Sequence, residues 1–248
     1  VPWTGVISRA VANACPIPEV LRRTRSWLSM HSFTPENTLF ANGTCRDEIN
    51  SSVVKCFADH WGEQFDLAGL GGYPSAGLTG FDAYAHHVPD GGNLLVLYGP
   101  HIGVTAEGVL GIVRRSGMAH DSASCGALLT FLARVRNDPS YSVTEDPLDS
   151  EQNALERALL PSVAQILDHS DPTAAVTETA FEVIDQVVEQ IIERSGVQDP
   201  IALVGGVVVN TPGCFDDWFA PRRAEVVNAG GVAGARASGL SELIGDGW

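Results

Sequence analysis

The chain has 248 residues, 44% of them hydrophobic, which is ample for one sizeable core, so a single compact domain over residues 1–248 is expected. Its 30 acidic residues against 15 lysines and arginines give a formal net charge of −15, which leaves no basic patch for nucleic acid or an anionic membrane surface. No apolar run approaches the length needed to cross a bilayer, so a soluble protein without membrane insertion is expected.

Residues 1–34 read as an N-terminal helical segment, with Val11, Ile17, Val20, Leu21 and Trp27 set among arginines and a break at Pro16 and Pro18. This segment is expected to pack on the core or on a partner subunit. The chain begins with Val1 rather than Met, so a removed leader is one reading of its start and the compartment is not legible. Pro35-Glu36-Asn37 turns the chain into a short strand (Thr38 to Ala41) that ends at Gly43-Thr44-Cys45-Arg46-Asp47-Glu48. Ile49, Val53, Val54 and Phe57, with Ala58 and Trp61, then recur at helical spacing. Cys45 therefore stands where a strand gives way to a helix, the edge at which parallel α/β sheets bind ligands.

Leu67 to Leu70 reads as a second strand leading into Gly69, Gly71, Gly72, Gly77 and Gly80, a density that marks tight turns or close backbone approach. No Gly-Lys-Ser/Thr follows, which argues against a phosphate-cradling loop. After His86-His87 and the turn Pro89-Asp90-Gly91-Gly92, the run Leu94-Leu95-Val96-Leu97 is a buried strand that continues into Gly99-Pro100-His101. A hairpin with Val109 to Val113 as its returning strand is expected next, and Ser122 to Ala127 opens a helix with Cys125 at its N-terminus. Glu151 to Leu167 is helical with a break at Pro161, Phe181 to Ile192 is an amphipathic helix ending at Gly196, and Ile201 to Val209 is a β-branched strand interrupted by Gly205-Gly206. Helices alternating with strands predict an α/β fold.

The five cysteines, odd in number and irregular in spacing, do not form a disulfide framework. Cys45 and Cys125, each at a helix start, are candidate sulfur ligands, and His86, His87, His101 and His120 compete to supply an imidazole. Two thiolates and one imidazole suit zinc rather than magnesium or calcium, and a catalytic zinc keeps a fourth position open. His31, His60 and His169 read as structural, and Cys15, Cys56 and Cys214 as inert thiols. The chain lacks the Gly-x-Ser-x-Gly elbow of a serine hydrolase and the Cys-x-x-Cys of a thioredoxin-like protein.

Together, the blocks GTCRDE, GLTGFDAYAHHVPDGG, LLVLYGPHIG and SCGALL resemble the limiting-carbon-dioxide-inducible B/C family, which is similar in fold to β-type carbonic anhydrases and includes members called theta-class carbonic anhydrases. The resemblance implies a β-carbonic-anhydrase-like sheet with helices on both faces. It also implies a zinc site made by Cys45, Cys125 and a histidine, His87 first and His101 as the alternative. The β-type pattern is Cys-x-Asp-x-Arg followed by His-x-x-Cys-Gly. Cys45, Asp47 and Cys125-Gly126 fit it, whereas Ile49 stands where the arginine would be and Ser122 where the histidine would be. Arg46 is then the local candidate to pair with Asp47.

By the same resemblance the chain interconverts carbon dioxide and bicarbonate through attack by zinc-held hydroxide, with Asp47 accepting a hydrogen bond and Arg46 keeping it ionised. Tyr73, Phe81 and Tyr84 are candidates for an apolar wall, although core packing is the role that accounts for them better. The resemblance further implies a homodimer with sites near the interface and a chloroplast setting (stroma, pyrenoid region or thylakoid lumen) in inorganic-carbon acquisition. Two alternatives use the same residues: a catalytically silent regulatory or assembly homologue, and a zinc-dependent hydrolase of a small amide or ester.

Overall fold

The computed structural model describes residues 3–213 and 216–245, so Cys214 lies outside the described residues. Among the described residues there are ten strands: β1 (Cys15–Pro16), β2 (Thr38–Thr44), β3 (Gln64–Asp66), β4 (Asn93–Gly99), β5 (His101–Gly103), β6 (Ile112–Val113), β7 (Ser122–Ala123), β8 (Ile201–Asn210), β9 (Trp218–Val227) and β10 (Arg236–Ser238). All but β6 and β7 form one mixed sheet of order β1-β9-β8-β4-β2-β3, with β5 also on β8 and β10 also on β9. Strands β3, β2, β4, β5 and β8 run parallel, and β9 returns antiparallel.

The helices are α1 (Trp3–Ala10), α2 (Ile17–Ser29), α3 (Ser51–Trp61), α4 (Gly77–Ala85), α5 (Gly126–Asn137), α6 (Ser150–Leu159), α7 (Val163–Asp168), α8 (Pro172–Ser195) and α9 (Leu240–Ile244). Successive strand residues face opposite ways. Leu94, Val96 and Tyr98 of β4 accordingly pack with α1, α4 and α8, while Leu95 and Leu97 pack on the other face with α2, α3 and α9. Leu94, Leu95 and Leu97 are fully buried, and each contributes about 2 kcal/mol by leaving water. This is the expected α/β sheet with helices on both faces.

Several boundaries differ from the pattern reading, each for a local reason. The second strand is Gln64–Asp66 rather than Leu67 to Leu70, because Gly71 turns left-handed (φ 65°) and Leu70–Gly72 becomes a single 3-10 turn. Val109 to Val113 makes no simple hairpin: Val104 bridges Leu110, and β6 pairs instead with β7. Pro161, which has no N–H to give a helix, falls in the 3-10 turn that separates α6 from α7.

The carboxyl edge of the parallel strands is where the chain departs from regularity. Thr44 pairs with Gly99, after which β2 leaves the sheet at Cys45; β4 kinks at Gly99-Pro100 and resumes as β5 in the same register on β8, with Tyr98 opposite Gly205 and His101 opposite Val208. His101 is thereby carried past the end of β2 to stand over Cys45. A third buried cluster, built from α5, α6, α7 and α8, closes over this edge and includes both Cys45 and Cys125. At Gly99 the backbone is left-handed (φ 136°), and a Cβ there would collide with the Gly206 carbonyl.

Gly99→Ala is therefore expected to cost about 3 kcal/mol or more, read as a lower urea midpoint at unchanged slope. An unaltered midpoint would contradict the crowding at this kink.

Candidate metal centre

Three segments supply the centre. Cys45 ends β2, His101 opens β5, and Cys125 caps α5 after a cis peptide bond to Ser124. One ligand atom from each lies within 4.8 Å of the others, and all three residues are buried. The two sulfurs stand 3.9 Å apart, far beyond a disulfide bond and close to the edge, about 3.8 Å, of a tetrahedron with zinc–sulfur bonds of about 2.3 Å. Both cysteines are free.

The protonation of His101 follows from a hydrogen-bond chain that begins at a backbone carbonyl. Asn50 Nδ2 donates to Cys45 O (3.0 Å), so Asn50 Oδ1 is the acceptor for Asn210 Nδ2 (3.1 Å), and Asn210 must turn its own Oδ1 toward His101 Nδ1 (2.7 Å). The Ser124 hydroxyl adds contacts to both partners, at 3.1 and 3.2 Å. Nδ1 therefore carries the proton and Nε2 a lone pair. His101 Nε2 is buried with no hydrogen-bond partner and faces the thiols. An unpaired buried acceptor beside two sulfurs is the donor set a zinc ion takes, and these residues fit one.

The thiols form a tightly coupled pair. A hydrogen bond from the Cys125 thiol lowers Cys45 below the ordinary thiol range against the opposing effect of burial, and Cys125 is raised correspondingly. Gly71 N–H also donates to Cys45 Sγ at 3.2 Å.

Asp47 stands beside the centre, with Oδ2 3.6 Å from His101 Nε2. Its partner is Arg115, whose two terminal nitrogens hold the two carboxylate oxygens at 2.7 and 2.8 Å. Arg115 is itself held by Ser122 Oγ (2.9 Å), the Ala123 carbonyl (3.1 Å) and Glu48. Burial works against the Asp47 charge, but this two-pronged contact overcomes it and keeps the carboxyl well below the usual carboxylate range. A groove of about 670 Å³ lined by Cys45, Arg46, Asp47, Asn50 and Asp66 opens the centre to solvent.

Two of the residues singled out in the sequence lie apart from this cluster or its carboxylate. His87 is exposed in the turn after α4, at the amino-terminal edge of the sheet, where its ring lies 6.3 Å from Phe65; the helix that carries it runs back from the edge that holds Cys45. The alternative, His101, is the imidazole in the cluster. Arg46 does not hold Asp47: it points to Glu151 (2.9 Å) and is half exposed. Arg115, which does, lies in an irregular segment without periodicity; the signal for it was the missing arginine at position 49, which left a half-buried carboxylate in need of a partner. His86 and His120 are exposed. Cys15 is buried in the core under α2, with its thiol pushed up to about 11, chiefly by burial. Phe81 and Tyr84 belong to the core on the α4 face, whereas Tyr73 packs against the cluster that includes Cys45 and Cys125.

A family model described as limiting CO2-inducible proteins B/C beta carbonic anhydrases matches residues 14–228. Among solved structures, the chain is similar to PtLCIB4, described as a homolog of the limiting CO2-inducible protein LCIB, at 30% identity and a TM-score of 0.87 over 95% of this chain and 98% of that one. It is also similar in fold to the limiting CO2-inducible protein LCIB, at 23% identity and a TM-score of 0.75 over 93% and 95% of the two chains. No curated protein matches.

Because the folded-state pKa of Asp47 is depressed, its ion pair stabilises the fold fully above the ordinary aspartate pKa of about 4 and ceases to do so as the pH falls through the lowered value. The stability advantage of the native chain over Arg115→Ala is thus expected to be constant from pH 7 to about 5 and to shrink below about 4, measured by urea unfolding across pH. An advantage that stays the same down to pH 2.5 would contradict the pairing.

Proposed function

Because the chain belongs to the limiting CO2-inducible B/C family, we propose that Cys45, His101 and Cys125 hold zinc and that the centre interconverts carbon dioxide and bicarbonate. The observation that carries the reading is the buried, unpartnered Nε2 of His101 facing two sulfurs 3.9 Å apart, with an ionised carboxylate alongside. Zinc at that position would supply Lewis-acid activation of water near neutral pH.

The chain's own residues do the rest. Asn210 and Ser124 fix the imidazole so that its lone pair stays on the thiol side. Arg115 holds Asp47 as a carboxylate, which can therefore accept a hydrogen bond from the reacting water and aim the water's remaining lone pair at an incoming carbon dioxide. The same two hydrogen bonds restrain Asp47 from swinging in as a further ligand, which keeps a position free. Carbon dioxide and bicarbonate exchange through the groove beside Cys45 and Asp47.

Among the described residues no helix is long and apolar enough to cross a membrane. The family resemblance extends the reading to a homodimer acting on inorganic carbon in the chloroplast.

The test is metal analysis with stopped-flow carbon dioxide hydration on the purified protein and variants. About one zinc per chain and fast hydration are expected. Cys45→Ser, Cys125→Ser and His101→Ala should lose both; His87→Ala should keep both; Asp47→Asn should keep zinc and lose at least about a hundredfold in turnover. Stoichiometric zinc in His101→Ala would overturn the ligand set. Zinc without hydration in the native chain would turn the reading to a silent homologue, and rapid turnover of a small ester or amide in its place would turn it to a hydrolase.

A further inference from the structure

Two consecutive side chains of α6 reach the two thiol-bearing arms of the centre. Glu151 Oε2 accepts the Leu70 N–H at 3.1 Å, while its Oε1 pairs with Arg46, the residue after Cys45, at 2.9 Å. One carboxylate thus ties the Cys45 arm to the 3-10 turn whose next amide, Gly71 N–H, donates to Cys45 Sγ. The fit is close: a Cβ on Gly69 would come within 2.6 Å of the Glu151 carboxyl carbon. The following residue, Gln152, is buried and donates to Ala127 O (3.1 Å) in the first turn of α5, which Cys125 caps. Gln152 is fixed in turn by Glu156, which Arg134 holds at 2.7 Å.

The turn from Gly69 to Tyr73 is closed by its own hydrogen bonds and by Arg46 N–H donating to Gly69 O at 3.3 Å. What aims it is the external acceptor on the Leu70 amide. The Arg46–Glu151 ion pair contributes little by itself, since the Arg46 side chain is 56% exposed and screened by water.

We infer that Glu151 is a positioning residue for the metal: by accepting the Leu70 N–H it fixes the direction of the Gly71 N–H, and through that bond the electron donation of the Cys45 sulfur. An N–H···S bond draws charge from a thiolate, so its strength sets how strongly the sulfur donates to a cation. Gln152 holds the Cys125 arm at the matching separation. The inference rests on the metal-centre reading above.

The test uses Glu151→Ala, which removes the acceptor, and Glu151→Gln, which keeps an oxygen for Leu70 without the charge for Arg46. Two readouts are taken. The first is hydrogen exchange at the Leu70 and Gly71 amides in metal-free protein. The second is the thiolate-to-cobalt charge-transfer band of the cobalt(II) form, with cobalt affinity from chelator competition. For Glu151→Ala, exchange at both amides should quicken at least about tenfold, the band should move to lower energy as the sulfur regains charge, and affinity should fall about tenfold or more because the Cys45 arm is no longer held in place for the metal, a loss that outweighs the stronger donation of the freed sulfur. Glu151→Gln should stay near the native values in all three. Native exchange and an unmoved band in Glu151→Ala would overturn the inference, as would equal losses in both variants, which would assign the effect to the Arg46 charge pair. A native chain that takes up no cobalt would defeat the metal reading, and the exchange measurement would still decide whether Glu151 braces the turn.

Discussion

Everything at the carboxyl edge of the sheet answers to one constraint, the burial of an imidazole nitrogen and two sulfurs against one another. An unsatisfied nitrogen in such a place costs on the order of 1–3 kcal/mol, and Nε2 of His101 is left without a partner while its Nδ1 is satisfied twice over. The asymmetry is enforced from outside the ring. Because the Cys45 carbonyl can only accept, each amide along the path through Asn50 and Asn210 is oriented in turn, and the lone pair of His101 is directed to the thiols. One ligand's backbone therefore dictates the tautomer of another.

The sheet supplies that arrangement through its interruptions. A regular β4 would end level with β2, opposite Thr44. The kink at Gly99-Pro100 lets the chain continue along β8, and the register shift between Gly205 and Gly206 makes room where β8 and β9 pass. Glycine is required at Gly99 and Gly206 because main chain meets main chain, and at Gly205 because the Tyr98 ring lies where a Cβ would stand, so the strand residues that pack the core and those that carry chemistry share the same polypeptide without sharing conformation. The covering helices then line one side of the centre with apolar groups, bringing Leu128 and Leu155 into the same cluster as the two cysteines, while the groove beside Asp47 leaves the other side open. A low local dielectric strengthens the contacts of Asp47 with Arg115 and the mutual pull of the two thiols.

Much of this was legible in the residues, and the part that was not has a common cause. Leu94 to Leu97 and Ile201 to Val209 are continuous apolar runs that mark strands buried on both faces, and the stripe from Phe181 to Ile192 carries the helical period that fixes which side faces the core. Cys45 and Cys125 could be placed because each sits at a junction of element types, and junctions leave composition marks. Between His87 and His101 the residue pattern and the family resemblance pull apart: His101 ends the clearest strand, and a helix between two parallel strands sets His87 at the opposite edge, whereas the resemblance points to His87; the direction of α4 follows the pattern. Arg115 was illegible for a different reason. Its segment is irregular and its partner lies 68 positions earlier, so no local rule connects them.

That distance in sequence has a physical consequence. Were the partner of Asp47 on the same turn, as Arg46 is, any movement of the Cys45 arm would move charge and counter-charge together. Arg115 is anchored instead to Ser122 and Ala123 of β7, just before Cys125, so the Asp47–Arg115 contact spans the two thiol arms. It also acts as a strut: the arms cannot separate without breaking a two-pronged ion pair and leaving each charge uncompensated in a partly buried setting, which is costly. Arg46, released from that task, reaches the other way to Glu151 on α6. The residue that the sequence pattern would assign to the carboxylate thus anchors the outer wall, and the residue that it would overlook joins the two halves of the centre.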